Sequence, residues 1–221
     1  IWMTCDIIAT GSSGNAVLLG GNVLVDCGVS WRQLMPYTRQ TELLLLTHEH
    51  SDHFNRGTIK RLYNERPGLL IGTHKALAGK LAELVPLKSI RVIDSSETEI
   101  ALRSGFPLHV SCERIPHNAI NVCYKLRFAR YGKPDERVFY ATDTVSLDHV
   151  RAESYDLYLV EANHTMADIE ARIAEKEANG EYAYEIQAAK NHMSREDAES
   201  WLRANAGTNS RYVFLHQHKA R

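Results

Sequence analysis

Thr47-His48-Glu49-His50-Ser51-Asp52-His53 packs four metal-ligand side chains into one short segment. Imidazole nitrogens together with a carboxylate suit Zn²⁺, Mn²⁺ or Fe²⁺. In extended backbone, residues two apart share a face. His48 and His50 can therefore bind one ion, and Asp52 and His53, beyond the turn at Ser51, can face a second. This is not the helical HExxH zinc arrangement, because Asp52 stands where that motif needs its second His.

Four side chains cannot hold two ions alone. Further donors lie at the ends of other expected strands: His117, Asp143 and His216, with His218 two residues further on. A carboxylate such as Asp143 can bridge two cations with its two oxygens. His192 lies just before a helix start marked by Ser194 and Asp197, which read as a capping pair. A helix N-terminus offers free N–H groups and a positive dipole end, which suits phosphate. Asn163 and His164 follow a buried strand and can line the same cleft. Ser12, Ser13 and Asn15, in Gly11-Ser12-Ser13-Gly14-Asn15, can touch a substrate phosphate or form a plain tight turn. His74, His109 and His149 are read as non-functional.

These donors need elements to position them. Short strands are expected over 5–9 and 16–25, the second broken by a hairpin at Gly20-Gly21-Asn22. Leu43-Leu44-Leu45-Leu46 is too short for a helix and ends in polar residues, so it reads as a buried strand leading into the His-rich segment. Helices are expected over 57–65 and 74–84, with a strand at 69–71 between them. Five strands follow, at 90–93, 99–102, 108–113, 121–128 and 137–141. A buried strand at 157–161, helices at 166–177 and from Ser194 to Ala204, and a last strand at 212–215 complete the order. Helices before, between and after many strands suggest an α/β fold of two sheets with helices outside.

The 221 residues fit one domain spanning 1–221, and the formal net charge of −1 leaves no global electrostatic footprint for nucleic acid or membrane. No apolar run reaches the length of a membrane span and no signal layout opens the chain, so a cytoplasmic protein is expected. The oligomeric state is not legible. Cys5, Cys27, Cys112 and Cys123 form no CxxC pair and read as buried reduced thiols.

With these residues in hand, the sequence resembles the metallo-β-lactamase superfamily. The resemblance is carried by Asp26 after Val23-Leu24-Val25, the segment His48 to His53, His117, Asp143 within Ala141-Thr142-Asp143-Thr144, and His216. Within it, Ala9 to Asn15, Val160-Glu161-Ala162-Asn163-His164 and Asn191-His192-Met193-Ser194 are most similar to the WalJ-type exonucleases, and PhnP-type phosphodiesterases share the ligand order. The departures are Cys27, Asn118 and Asn191, and a final His216-Gln217-His218.

The resemblance implies a four-layer αββα sandwich and two divalent ions, Zn or Mn, or Fe. It assigns His48, His50 and His117 to the first ion and Asp52, His53 and His216 to the second. Asp143 bridges them, and Asp26 orients the His-rich loop. His216 is preferred to His218 because its offset from Arg211 matches the branch pattern. The implied activity is phosphodiester hydrolysis through a metal-bridged hydroxide, on DNA, RNA or a nucleotide. Asp52 and His192 are the catalytic candidates, and Ser13, Asn15, Asn163 and His164 the substrate-binding ones. The alternative is a thioester or other small-molecule hydrolase on the same scaffold.

Overall fold

The computed structural model describes residues 3–103, 105, 107–180 and 191–217. Two compact units are distinguished: Ile1–Glu113 with Tyr124–Glu136, and Arg114–Cys123 with Arg137–Arg221.

The first unit holds a six-stranded sheet of β1 (Cys5–Ala9), β2 (Ala16–Leu19), β3 (Val23–Val25), β4 (Leu43–Leu46), β5 (Leu70–Thr73) and β6 (Ile90–Val92), ordered β1-β2-β3-β4-β5-β6. β1, β2 and β3 pair antiparallel, whereas β3 to β6 run parallel. β4 pairs with β3 and β5, and all four of its leucines are fully buried. That explains its unbroken apolar run, since a central parallel strand is covered on both faces. Helices α1 (Trp31–Leu34), α2 (Arg56–Glu65) and α3 (Lys75–Ala82) join the same unit. α2 starts where the Asn55 side chain accepts from Thr58 N–H, and its Ile59 and Leu62 enter a core with Leu44, Leu46 and Ile71.

The second six-stranded sheet is built from β7 (Thr98–Ala101), β8 (Pro107–Ile115), β9 (Asn121–Phe128), β10 (Glu136–Ala141), β11 (Leu157–Glu161) and β12 (Arg211–Leu215), ordered β12-β11-β10-β9-β8-β7. β8 and β9 contribute residues to both units. In the second unit β10, β11 and β12 run parallel. Among the described residues its helices are α4 (Met166–Ala178), capped by Thr165, and α5 (Arg195–Asn205), capped by Ser194. Its core stacks the Phe139 and Trp201 rings 4.9 Å apart, with Tyr158, Val160 and Met193 around them.

The expectation of an α/β fold with two sheets holds, and most element boundaries move by only one or two residues. α1 and the single 3₁₀ turns at Met35–Tyr37 and Leu87–Ser89 were not anticipated, because a four-residue helix has too few turns to show a period. The thiols need one correction. Cys27, Cys112 and Cys123 are buried, but Cys5 is only half-buried, since β1 is the edge strand of its sheet. No helix among the described residues is long and apolar enough to cross a membrane.

Candidate metal centre

β4 delivers Leu46, and the chain then turns through the His-rich segment. His53 N–H and Phe54 N–H both donate to the His50 carbonyl, at 2.9 and 2.7 Å, which closes the turn. Cys27 N–H donates to the His53 carbonyl at 2.9 Å, and Asn15 N–H to the Asp52 carbonyl at 2.7 Å. The turn is thereby stitched to the end of β3 and to the Gly11–Asn15 loop. Gly28 makes this approach possible: a Cβ there would sit 1.6 Å from the Asp52 carbonyl oxygen.

Asp26 lies beneath the turn, fully buried. Its Oδ1 accepts from Thr47 N–H and Thr47 Oγ1–H, both at 2.9 Å, and its Oδ2 accepts from His53 Nδ1 at 2.7 Å. A hydroxyl has one proton to give. Thr47 Oγ1 spends it on the carboxylate, so it can only accept from His48 Nδ1, 3.0 Å away. Asp26 therefore places a proton on Nδ1 of both His48 and His53, which leaves the lone pair of each ring on Nε2. His48 Nε2 lies 3.1 Å from His50 Nδ1, and the His48 and His53 rings stand 4.2 Å apart. Nitrogens brought this close need a proton or a cation between them. Asp52 Oδ2 is 3.6 Å from His53 Nε2.

In the second unit, Asp143, Glu161, His192 and His216 each offer a ligand atom, all within 4.8 Å of one another. Asp143 follows β10, Glu161 ends β11 and His216 follows β12. Three parallel strands thus discharge their donors at the same ends, as open α/β sheets do. His216 Nδ1 is 2.5 Å from Asp143 Oδ1 and 3.2 Å from Glu161 Oε1. His192 Nδ1 is 2.6 Å from the same Glu161 oxygen, and Thr144 N–H donates to Glu161 Oε2 at 2.7 Å. The His117 ring lies 6.1 Å from that of His192.

Charge shows that this donor set fits a cation. Burial by itself would lower the His216 imidazole, but its hydrogen bonds to Asp143 and Glu161 push it up to about 10. Burial would likewise raise Glu161, yet the hydrogen bonds from His192 and His216 hold it below the usual carboxylate range. Two buried carboxylates demand a positive partner, and a divalent ion meets that demand as a proton does.

Asp26, Asp143 and His216 share a backbone trait, with φ of 60°, 54° and 53°. Each sits just past a strand in the left-handed region, which costs a non-glycine residue about 1–3 kcal/mol. Such strain persists only where the surroundings hold it.

The expected substrate residues divide. Ser12 and Ser13 are exposed at the loop tip. Asn15 is buried: its Oδ1 accepts from Gly11 N–H, and its Nδ2 lies 3.0 Å from the Gly11 carbonyl, 3.2 Å from that of Asp52 and 2.8 Å from His53 Nε2. Asn163 Nδ2 donates to the His216 carbonyl at 2.9 Å. The His164 carbonyl accepts from Arg195 N–H at the start of α5, and burial lowers its imidazole. His218 lies outside the described residues. Of the histidines set aside, His74 is the N-cap of α3, His109 stands between Glu97 and Glu99, and His149 donates to the Arg114 carbonyl.

Glu161 is the residue that sequence reasoning failed to single out for the site. The signal was available: a carboxylate ending the otherwise apolar Leu157-Tyr158-Leu159-Val160 run is buried with its strand, and buried charges are paired or hold metals.

Comparisons with known proteins agree with this architecture. The metallo-beta-lactamase fold protein YhfI from Bacillus subtilis superposes with a TM-score of 0.68 at 19% identity, covering 99% of this chain and 88% of that one. Igni18, a metallo hydrolase from Ignicoccus hospitalis, gives a TM-score of 0.50 at 18% identity, covering 79% of this chain and 78% of its own. No curated protein matches the chain. The family model described as "Beta-lactamase superfamily domain" matches residues 21–217. The protein has the metallo-β-lactamase fold and belongs to the beta-lactamase superfamily domain family.

Proposed function

We propose that this chain is a metal-dependent phosphodiesterase acting on nucleic acid or nucleotide phosphodiesters. Family and fold support the coarser reading, a metal-dependent hydrolase. One observation carries the finer one: His192, two residues before the N-cap of α5, is held through Nδ1 by Glu161 at 2.6 Å, inside the Asp143–His216 cluster.

Ligand roles follow the sequence resemblance: His48, His50 and His117 for one ion, Asp52, His53 and His216 for the other, and Asp143 for both. Bound Zn or Mn ions would supply an activated water and positive charge for the phosphorane-like transition state. The residues supply the rest. With Nδ1 engaged, His192 has Nε2 left to give a proton to the departing alkoxide. Glu161 fixes the orientation of the ring through Nδ1. Asp52 orients the nucleophile. Ser13 and His164 meet the substrate, while Asn15 and Asn163 support the site from behind.

The test is an assay of the purified protein with Mn²⁺ or Zn²⁺ on four substrates: a chromogenic phosphodiester, labelled DNA or RNA strands, a thioester and a β-lactam. Turnover of phosphodiesters is expected. Activity on the thioester alone would sink this reading in favour of a small-molecule hydrolase.

A further inference from the structure

Asp143 and His216 have the same problem and the same solution. Both are non-glycine residues in the left-handed region, at φ 54° and 53°, two and one residues past their strands. In each case an asparagine amide grips the carbonyl of the strained residue. Asn121 Nδ2 donates to the carbonyls of Thr142 and Asp143, both at 2.8 Å. Asn163 Nδ2 donates to the His216 carbonyl at 2.9 Å.

The two amides come from different elements, Asn121 from the first position of β9 and Asn163 from the turn after β11. Both are buried. Asn121 Oδ1 is also buried and has no donor among the described residues. An orphaned buried oxygen carries a desolvation cost, which the two donor bonds of Nδ2 offset.

We propose that Asn121 and Asn163 are positioning residues, a pair of amide clamps that hold Asp143 and His216 left-handed so that their side chains converge on a divalent cation. The result of the clamping is the contact of His216 Nδ1 with Asp143 Oδ1 at 2.5 Å. If either carbonyl rotates free, the backbone can leave the left-handed region, and the side chain at that strand end swings out of the cluster. The clamps rest on the metal-centre reading and not on the identity of the substrate.

Cobalt(II) titration of the purified protein tests this without substrate. Its d–d absorption reports ligand number and geometry, and the titration gives an apparent affinity. Asn121→Ala and Asn163→Ala are expected to bind Co²⁺ roughly ten- to a hundred-fold more weakly, the range typical for losing a residue that orients a ligand. Their d–d bands should also be altered. Asn205→Ala is the control. That buried asparagine ties Ala152 N–H and the Trp201 carbonyl in the same unit, so it should lower Tm and leave cobalt binding as in the parent. Parent-like affinity and spectrum in both folded clamp variants would overturn the proposal. Equal weakening in Asn205→Ala would also do so, because the effect would then be general loosening. Should Asn121→Ala fail to fold, Asn163→Ala decides alone. Absence of cobalt binding by the parent protein would remove the metal centre and the clamps together. Failure of the phosphodiesterase assay alone would leave them standing.

Discussion

The Asp26 carboxylate accepts a hydrogen bond from His53 Nδ1 at 2.7 Å, and through the Thr47 hydroxyl it governs His48 as well. One buried carboxylate thus sets the tautomer of two imidazoles in the His-rich turn. Asp26→Asn keeps an acceptor for Thr47 but can turn an NH₂ toward His53, which moves the ring proton to Nε2 where a lone pair is needed. Metal affinity should fall about 10–100-fold. Nitrogen NMR of the histidine rings should show the switch in the metal-free protein, and unchanged tautomers would refute the account.

Gly28 is the point of closest approach to that turn. An added Cβ meets backbone and not a flexible side-chain end, with the Asp52 carbonyl oxygen 1.6 Å away. Gly28→Ala should cost at least about 1–3 kcal/mol, the usual scale of overpacking, and displace the ligand turn. Gly79→Ala is the contrast: it lies inside α3 with open space around the new Cβ, so stability should rise by roughly 0.5–1 kcal/mol. Urea unfolding midpoints of the two variants, read side by side, check both signs.

His192 and Glu161 should separate chemistry from binding. His192→Ala is expected to lower kcat on a phosphodiester with a poor leaving group by about 10²–10⁴-fold, with metal content unchanged. An ester releasing a stable phenolate should suffer far less, because it needs no proton. Glu161→Gln keeps an acceptor but removes the charge beside His192 and His216, so it should lower both kcat and metal affinity. Equal losses on both esters in His192→Ala would exclude proton donation.

The thiols report on packing. Burial, reinforced by the Asp94 charge, pushes the Cys112 thiol up to about 12, and burial with Asp26 pushes Cys27 up strongly. At pH 8 both should resist alkylation in the native protein, while half-buried Cys5 reacts first. The linkage sign follows from the raised values. The unfolded chain loses these protons near pH 9 and the folded chain does not, so their stabilising contribution is whole below pH 9 and fades as pH rises toward 12. Mass spectrometry after timed alkylation, and chemical denaturation from pH 8 to 11, check the two halves.

Much of the fold was legible because its cues are local. The leucine run of β4, the Ser194–Asp197 cap of α5 and the hairpin at Gly20-Gly21-Asn22 each act over a few residues, and each element formed where these cues placed it. α1 escaped because four residues carry no periodic signal.

The sequence by itself determined which side chains could bind metal and that they would emerge at strand ends, because residue chemistry and strand length are properties of short segments. The tertiary structure decided that Asp26 meets His53 Nδ1, that Glu161 shares its carboxylate between His192 and His216, and that the amides of Asn121 and Asn163 reach the carbonyls of Asp143 and His216. These hydrogen bonds join residues 22 to 55 positions apart. Their geometry exists only once parallel strands lie side by side, and no local pattern encodes it.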